Sequence, residues 1–422
     1  MYILKCNKFG LPTTGAHHCS TLELYNMKKI VFFAFGCLLA CVAGAQIHYE
    51  EAYVTHPDQM YVSGTLNDDS VHIGNWTWWH PNGKVFRQGK YDNQGHKVGV
   101  WRTFYNDGTK HEEMVMSGSG TSRTWYANGA KQSEVQVVNG KKEGMFVSWY
   151  QNGQQKDEVP YVDGVREGKT REWHENGNLK FEGTYVDDEL EGPAVWYTPT
   201  GKKDQEGRLV QGEQEGEWLF YWRTNGNLGI RGHYTDGNET GTWTYYYETG
   251  EKWREGQYNN GYKQGMWTTW YESGQKLHEG QYVNDKEEGT WTAWYEDGKL
   301  DYTGSFHNGK KEGLWRGVYD DGSVRYEMNY RDDLQNGKTV RYHANGKVEI
   351  SENYVDGVRD GKYERYNTAG TPEEMGTFVN GKKEGKWVWY DKYGQEGVVA
   401  QFKDGKMTSM QDNTAKKQEK KR

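Results

Sequence analysis

Beyond residue 45 the chain has no cysteine: all four, Cys6, Cys19, Cys37 and Cys41, lie before it. The remainder therefore cannot form disulfides, hold a metal through thiolates or attack through a cysteine. Long apolar runs are missing too. The longest candidate, Ile30–Leu39, is too short to span a bilayer. Catalytic patterns are equally scarce. His72, His80, His96, His111, His174, His233, His278, His307 and His343 make no His-x-x-x-His pair and read as scattered surface residues. The stretch Gly164–Thr170 has three residues between its glycines where a phosphate loop needs four, so it reads as ordinary turn sequence. No catalytic, cofactor or metal residue is expected, and an enzyme is not the reading these residues support.

Positive charge is also short. The formal net charge is −8. Lys5, Lys8, Lys28 and Lys29 against Glu23 make residues 1–45 +3, and Lys416, Lys417, Lys420, Lys421 and Arg422 against Asp412 and Glu419 make the last twelve +3, so 46–410 carries −14. An acidic array is ill suited to nucleic acid, where affinity rests on neutralised phosphates. Membrane contact is left to a lipid anchor or to the basic tail.

The front of the chain reads as a targeting segment. Met27 is the natural start, with residues 1–26 a start-site artefact. Lys28 and Lys29 give a basic region, Ile30–Leu39 an apolar one, and Ala43-Gly44-Ala45 a cleavage site. A signal peptide over 27–45, cut after Ala45, is the preferred reading; the alternative takes Leu38–Cys41 as a lipoprotein box with Cys41 acylated. Both export the protein to the cell envelope (periplasm or surface) or the medium.

What the chain has in abundance is a repeat. A lead glycine recurs at Gly74, Gly99, Gly120, Gly144, Gly168, Gly192, Gly216, Gly241, Gly265, Gly289, Gly313, Gly337, Gly361 and Gly385, fourteen units with ten of thirteen spacings equal to 24. A second glycine follows nine residues later, usually after Asn or Asp, as in Asn82-Gly83 and Asp297-Gly298; only Gly226 comes one residue late. A second turn closes each unit, as at Asn139-Gly140 and Asn260-Gly261. Such dipeptides tolerate the positive φ of tight hairpin turns. The runs between them are short and rich in Trp, Tyr, Thr and Val, which suit a pleated surface. The expected fold is all-β, an elongated single-layer ribbon of about fourteen 24-residue hairpins stacked on one another. Alternation places Trp267, Thr269 and Tyr271 on one face and Trp270 on the other. Residues 46–73 read as a degenerate N-terminal cap, 74–409 as the array, and 410–422 as a disordered basic tail.

The pattern Glu-Gly-x-Trp-x-x-Trp-Tyr-x-x-Gly, seen at Glu288–Gly298, followed by Glu-Gly-x-Tyr-x-x-Gly, seen at Glu255–Gly261, resembles the MORN repeat family in its bacterial, antitoxin-like variant. The resemblance spans about 74–405. It implies a hairpin ribbon without catalytic residues, associated with scaffolding, protein contacts and membranes, or with an antitoxin-like role.

Two ring rows organise the functional expectations. Trp218, Trp243, Trp267, Trp291, Trp315, Tyr363 and Trp387 recur two residues after the lead glycine and read as core. Rings on the other face, Trp149, Trp173, Tyr246, Trp270 and Trp294, are candidate partner-binding aromatics. The leading expectation is an exported, non-enzymatic scaffold that binds a protein partner. The alternative is a glycan or cell-wall binder stacking sugars on exposed rings. The acidic residues before the lead glycines, such as Glu288 and Glu312, are expected to pair with nearby lysines on a solvated edge.

Overall fold

A computed structural model describes residues 46–53 and 56–413; the targeting segment, Cys41 and residues 414–422 lie outside them. The described chain is helix-free and folds as one open antiparallel sheet of 33 strands. Each strand pairs with its neighbours in sequence, from Ile47–Tyr53 against His56–Leu66 at one end to Glu396–Lys403 against Lys406–Asp412 at the other. The last strand runs to Asp412, so the first three residues of the expected tail belong to the sheet. Single-layer hairpin repeats are thus what the sequence period builds.

One unit shows why. Strand Tyr262–Trp270 pairs with Lys276–Val283 in the register Gly265↔Tyr282, Trp267↔Gly280, Thr269↔His278. The first turn closes by Gly274 N–H donating to Tyr271 C=O (2.9 Å) and Tyr271 N–H to Gln275 C=O (2.8 Å). Gly274 is its only left-handed residue (φ 84°), the loop in which a tight turn ends in a glycine bulge. The second turn is different. Asn284 and Asp285 both have positive φ (49° and 66°), the mirror-image two-residue turn that splices strands of right-handed twist.

Between units the sheet carries a bulge of three residues against one. Glu255 pairs with Thr268 and Gln257 with Gln264, so Gly256 alone faces Gly265–Trp267. Gly265 makes this possible with φ 70°. The bulge turns Trp267 flat onto the neighbouring strand, where its exposure falls to 1%. Its indole Nε1–H donates to Gln257 C=O (3.2 Å), and the same bond recurs from Trp101, Trp218, Trp315 and Trp387.

The ring lies over Gly256, and a Cβ built there would sit 2.0 Å from Trp267 Cδ2. The glycine of the Glu-Gly-x-Tyr motif is therefore a seat for the next unit's tryptophan. The same relation joins Gly64 to Trp76, Gly89 to Trp101, Gly207 to Trp218, Gly280 to Trp291, Gly304 to Trp315 and Gly376 to Trp387. At three units where the seat carries a side chain, Met114, Val159 and Met328, the facing position shrinks to Ser122, Thr170 and Thr339, so bulk is exchanged across the strand pair; Val135 with Phe146 and Glu352 with Tyr363 keep bulk on both sides.

All seven rings of the expected core row are buried. They pack in a herringbone: Tyr258 stands edge-on to Trp267 (5.2 Å, 89°), Tyr282 to Trp291 (5.2 Å, 90°) and Phe378 to Trp387 (5.0 Å, 79°). His278 shares this face. Trp270 points to the other, while Tyr271 leaves the strand at the turn.

Candidate functional site

The five candidate rings form one row. Each occupies the sixth position of its unit, so Trp149 and Trp173 are successive rungs, as are Tyr246, Trp270 and Trp294. All five are half-buried. Lysines from the preceding strand lie over three of them: Lys252 Nζ is 5.1 Å from the Trp270 centroid, Lys276 5.6 Å from Trp294 and Lys131 5.0 Å from Trp149. Each ammonium is also held by a carboxylate, Lys252 by Glu255 (2.8 Å) and Lys276 by Glu279 (2.6 Å). One face of Trp149, Trp270 and Trp294 that could stack a sugar is thereby occupied by a cation.

The backbone of this row is tied as well. Tyr126 Oη–H donates to Trp149 C=O (2.8 Å), Tyr150 to Trp173 C=O (2.8 Å), Tyr247 to Trp270 C=O (2.8 Å) and Tyr271 to Trp294 C=O (3.1 Å). Trp222 Nε1–H serves Tyr246 C=O (3.1 Å). His80, His174 and His343 occupy the tyrosine position, their Nε2 atoms 2.8–3.0 Å from the matching carbonyls of Phe104, Tyr197 and Tyr366. Three of the scattered histidines are therefore rungs between units. Burial holds the His278 imidazole below its ordinary pKa, with Arg254 adding to the shift.

The acidic residues before the lead glycines do not form the expected lysine row. Their carboxylates reach to the next closing turn and accept its first N–H: Glu288 from Asn308 (2.8 Å), Glu312 from Asp332 (3.2 Å), Glu143 from Asp163 (2.8 Å) and Glu384 from Asp404 (2.8 Å). Lys310, two residues before Glu312, pairs with Asp332 (3.3 Å). Among the described residues no group of three His, Cys, Asp or Glu gathers as a metal site.

Sequence reasoning missed a second surface feature. Val138, Val162, Val186 and Val210, the last residues of four successive return strands, are 42%, 52%, 42% and 37% exposed. They recur every 24 residues, so a strip of apolar side chains crosses the sheet at a spacing of about 10 Å. Met145, 43% exposed, stands in the same stretch and pairs across to Pro160. The period was visible, but which end of the strand stays open depends on the turn.

Compared with known families, the chain matches the MORN repeat variant over residues 73–93, 166–187, 239–260, 263–284, 287–308, 311–332 and 335–356. It is a MORN repeat protein. No curated protein matches the sequence. Among solved structures, similarity is found to a TcdB2–TccC3–Cdc42 complex (11% identity, 86% of this chain and 22% of that one, TM-score 0.15). It is also found to TcdB2–TccC3 (11%, 87% and 24%, 0.15) and to the Tc holotoxin pore of Photorhabdus luminescens (11%, 87% and 23%, 0.15). The MORN chain spans under a quarter of those chains, and a TM-score of 0.15 carries no argument about fold or partner.

Proposed function

We propose that this MORN repeat protein is an exported, non-enzymatic scaffold that binds a protein partner in the bacterial cell envelope. The observation that carries the reading is the strip Val138–Val162–Val186–Val210. Exposed apolar residues repeated in register are costly to leave in water and match a partner that lies across several units. The candidate aromatics support the same preference over glycan binding, because lysines cover Trp149, Trp270 and Trp294. The histidines support it too, since several are spent on inter-unit bonds.

The test uses the full chain in its own host. Replacing the four valines by lysine leaves their strands and turns intact, as these positions already face solvent. The wild-type protein is expected to crosslink to a discrete envelope protein, and the valine variant to lose that product while keeping its circular dichroism. Equal crosslinking by both removes the strip from the proposal. N-terminal sequencing of the envelope fraction tests export: Gln46 as the first residue is expected, and an intact Met27 in the cytosol refutes it.

A further inference from the structure

The repeat is lengthened by one residue in two units, at the closing turn Asp92–His96 of the Gly74 unit and at the first turn of the Gly216 unit. In the unit that begins at Gly216 the first turn is one residue longer, with Trp222 N–H donating to Asn227 C=O (2.8 Å) and Gly226 N–H to Trp222 C=O (2.7 Å). Trp222 stands where most other units have tyrosine or histidine, and Thr198, Asn367 and Asp391 stand in the remaining three. The bulged residue of the return strand is Gly229, where other units carry Leu277, Asp301 or Glu349. A Cβ on Gly229 would meet Trp222 Cδ1 at 3.3 Å. Its absence opens a depression of about 200 Å³ walled by Phe220, Tyr221, Trp222, Tyr245, Tyr246 and Trp253. Trp253, itself a bulge residue, is 41% exposed and stands 6.3 Å from Tyr245 and 6.2 Å from Tyr247. Nothing in the repeat demands a tryptophan there.

We propose that this depression is an anchor site for one apolar side chain of a protein partner, presented in a segment with basic flanks. The inference rests on the scaffold reading and deepens it. A sugar needs donors and acceptors around its rim, whereas this lining is aromatic carbon. Polar atoms of the lining rings are largely engaged, Tyr221 Oη by Glu206 and Trp222 Nε1 by Tyr246 C=O. The cations beside the site are each paired with a carboxylate, Arg223 with Asp204 (2.7 Å), Arg231 with Glu217 (3.6 Å) and Lys252 with Glu255 (2.8 Å), while Glu248 and Glu251 lie exposed on the turn beside Trp253 and add negative charge to its rim. Lysine or arginine on either side of the anchor complements that field.

The test labels the full chain with 5-fluorotryptophan and follows the Trp222 and Trp253 resonances, assigned by substitution. The probes are the pentapeptide Lys-Lys-Phe-Lys-Lys, capped at both ends, its central-glycine and all-glutamate-flank counterparts, and methyl β-glucopyranoside. The phenylalanine peptide is expected to shift both resonances and to bind about tenfold to a hundredfold more tightly than the glycine peptide, with the acidic peptide and the glycoside silent. Trp253→Glu copies the residue type of sibling units, and Gly229→Val fills the floor. Both should abolish the shift at Trp222 while leaving the other tryptophan signals in place. Equal binding of the phenylalanine and glycine peptides, a response to the glycoside, or silence up to about 10 mM peptide overturns the proposal. If the pocket is silent while the valine strip still governs crosslinking, the anchor fails and the scaffold stands.

Discussion

Gly256 offers the sharpest test of how the array is held together. Its φ is not left-handed, so nothing in the backbone requires glycine there. By strand preference alone, Gly256→Val should stabilise the sheet by about 1 kcal/mol. The packing predicts the opposite. A Cβ would lie 2.0 Å from Trp267 Cδ2, against the roughly 3.5–4.0 Å of carbon contact, so the indole must retreat about 1.5–2 Å from a site where it is 1% exposed. A close-packed site cannot give that much, and expelling a tryptophan costs about 3–5 kcal/mol. The net loss is about 2–4 kcal/mol, or about 30- to 1000-fold in local opening. Hydrogen exchange of the full chain reads this directly: protection should fall in Lys252–Asn259 and Tyr262–Trp270 and stay unchanged in Lys97–Phe104. The decisive arm is Gly256→Val with Trp267→Thr, which copies the pair Val159 and Thr170, whose hydroxyl donates to Glu158 C=O at 2.9 Å. That double variant should recover about 2 kcal/mol relative to the single one. Unchanged or improved protection in Gly256→Val, or a double variant no better than the single, refutes the seat.

Gly289 separates conformation from space, with φ 68° and no atom within 4 Å of an added Cβ; Gly289→Ala should cost about 1–2 kcal/mol from the left-handed backbone alone, measured by exchange in Lys286–Trp294, and Gly289→Asn less. Tyr271→Phe removes the donor to Trp294 C=O and should cost about 0.5–1.5 kcal/mol at that turn, with no effect two units away. The Glu288–His307 contact should show opposed titrations: the Asn308 N–H and then the His307 ring lower the Glu288 pKa, and Glu288 raises that of His307. The glutamate's contribution is present above its unfolded value and lost as pH falls through the lowered folded one. The histidine's is present below about 6.5 and lost as pH rises through its raised value, so the contact is strongest near pH 5–6. Proton NMR of His307 should show a midpoint above the ordinary histidine value that drops back in Glu288→Gln; an unmoved midpoint refutes the link.

Much of the fold was legible because its signals are local. Asn260-Gly261 and Ser273-Gly274 announce turns within two residues, and Trp267 recurs at a fixed distance from Gly265, so strands, period and the buried row follow from adjacent letters. The turns nonetheless differ in kind, since the first needs left-handed geometry only at its glycine and the second at both residues. What escaped were the specific side-chain contacts between units. Gly256 looks like one more turn glycine until Trp267 is placed above it, and Glu288 looks like a partner for lysine until the next turn presents the Asn308 N–H. The pattern of Met114 with Ser122, Val159 with Thr170 and Met328 with Thr339 held a signal for the first of these. For the candidate site, alternation assigned Trp270 to the correct face, but the covering Lys252 comes from the return strand of the unit before. The opening beside Trp253 depends on one inserted residue and one missing side chain.

The strict pairing of each strand with its sequence neighbours also fixes how the protein answers a pull. Tension along the chain meets the bonds of one strand pair at a time, not a whole sheet in shear. Each released unit frees 24 residues, about 80 Å of extended chain, in exchange for about 10 Å of sheet. The chain should therefore lengthen in near-equal steps of about 70 Å, each reversible because a hairpin finds its partners locally. Fixed at one end and loaded at the other, it is an extensible tether whose reach is counted in repeats.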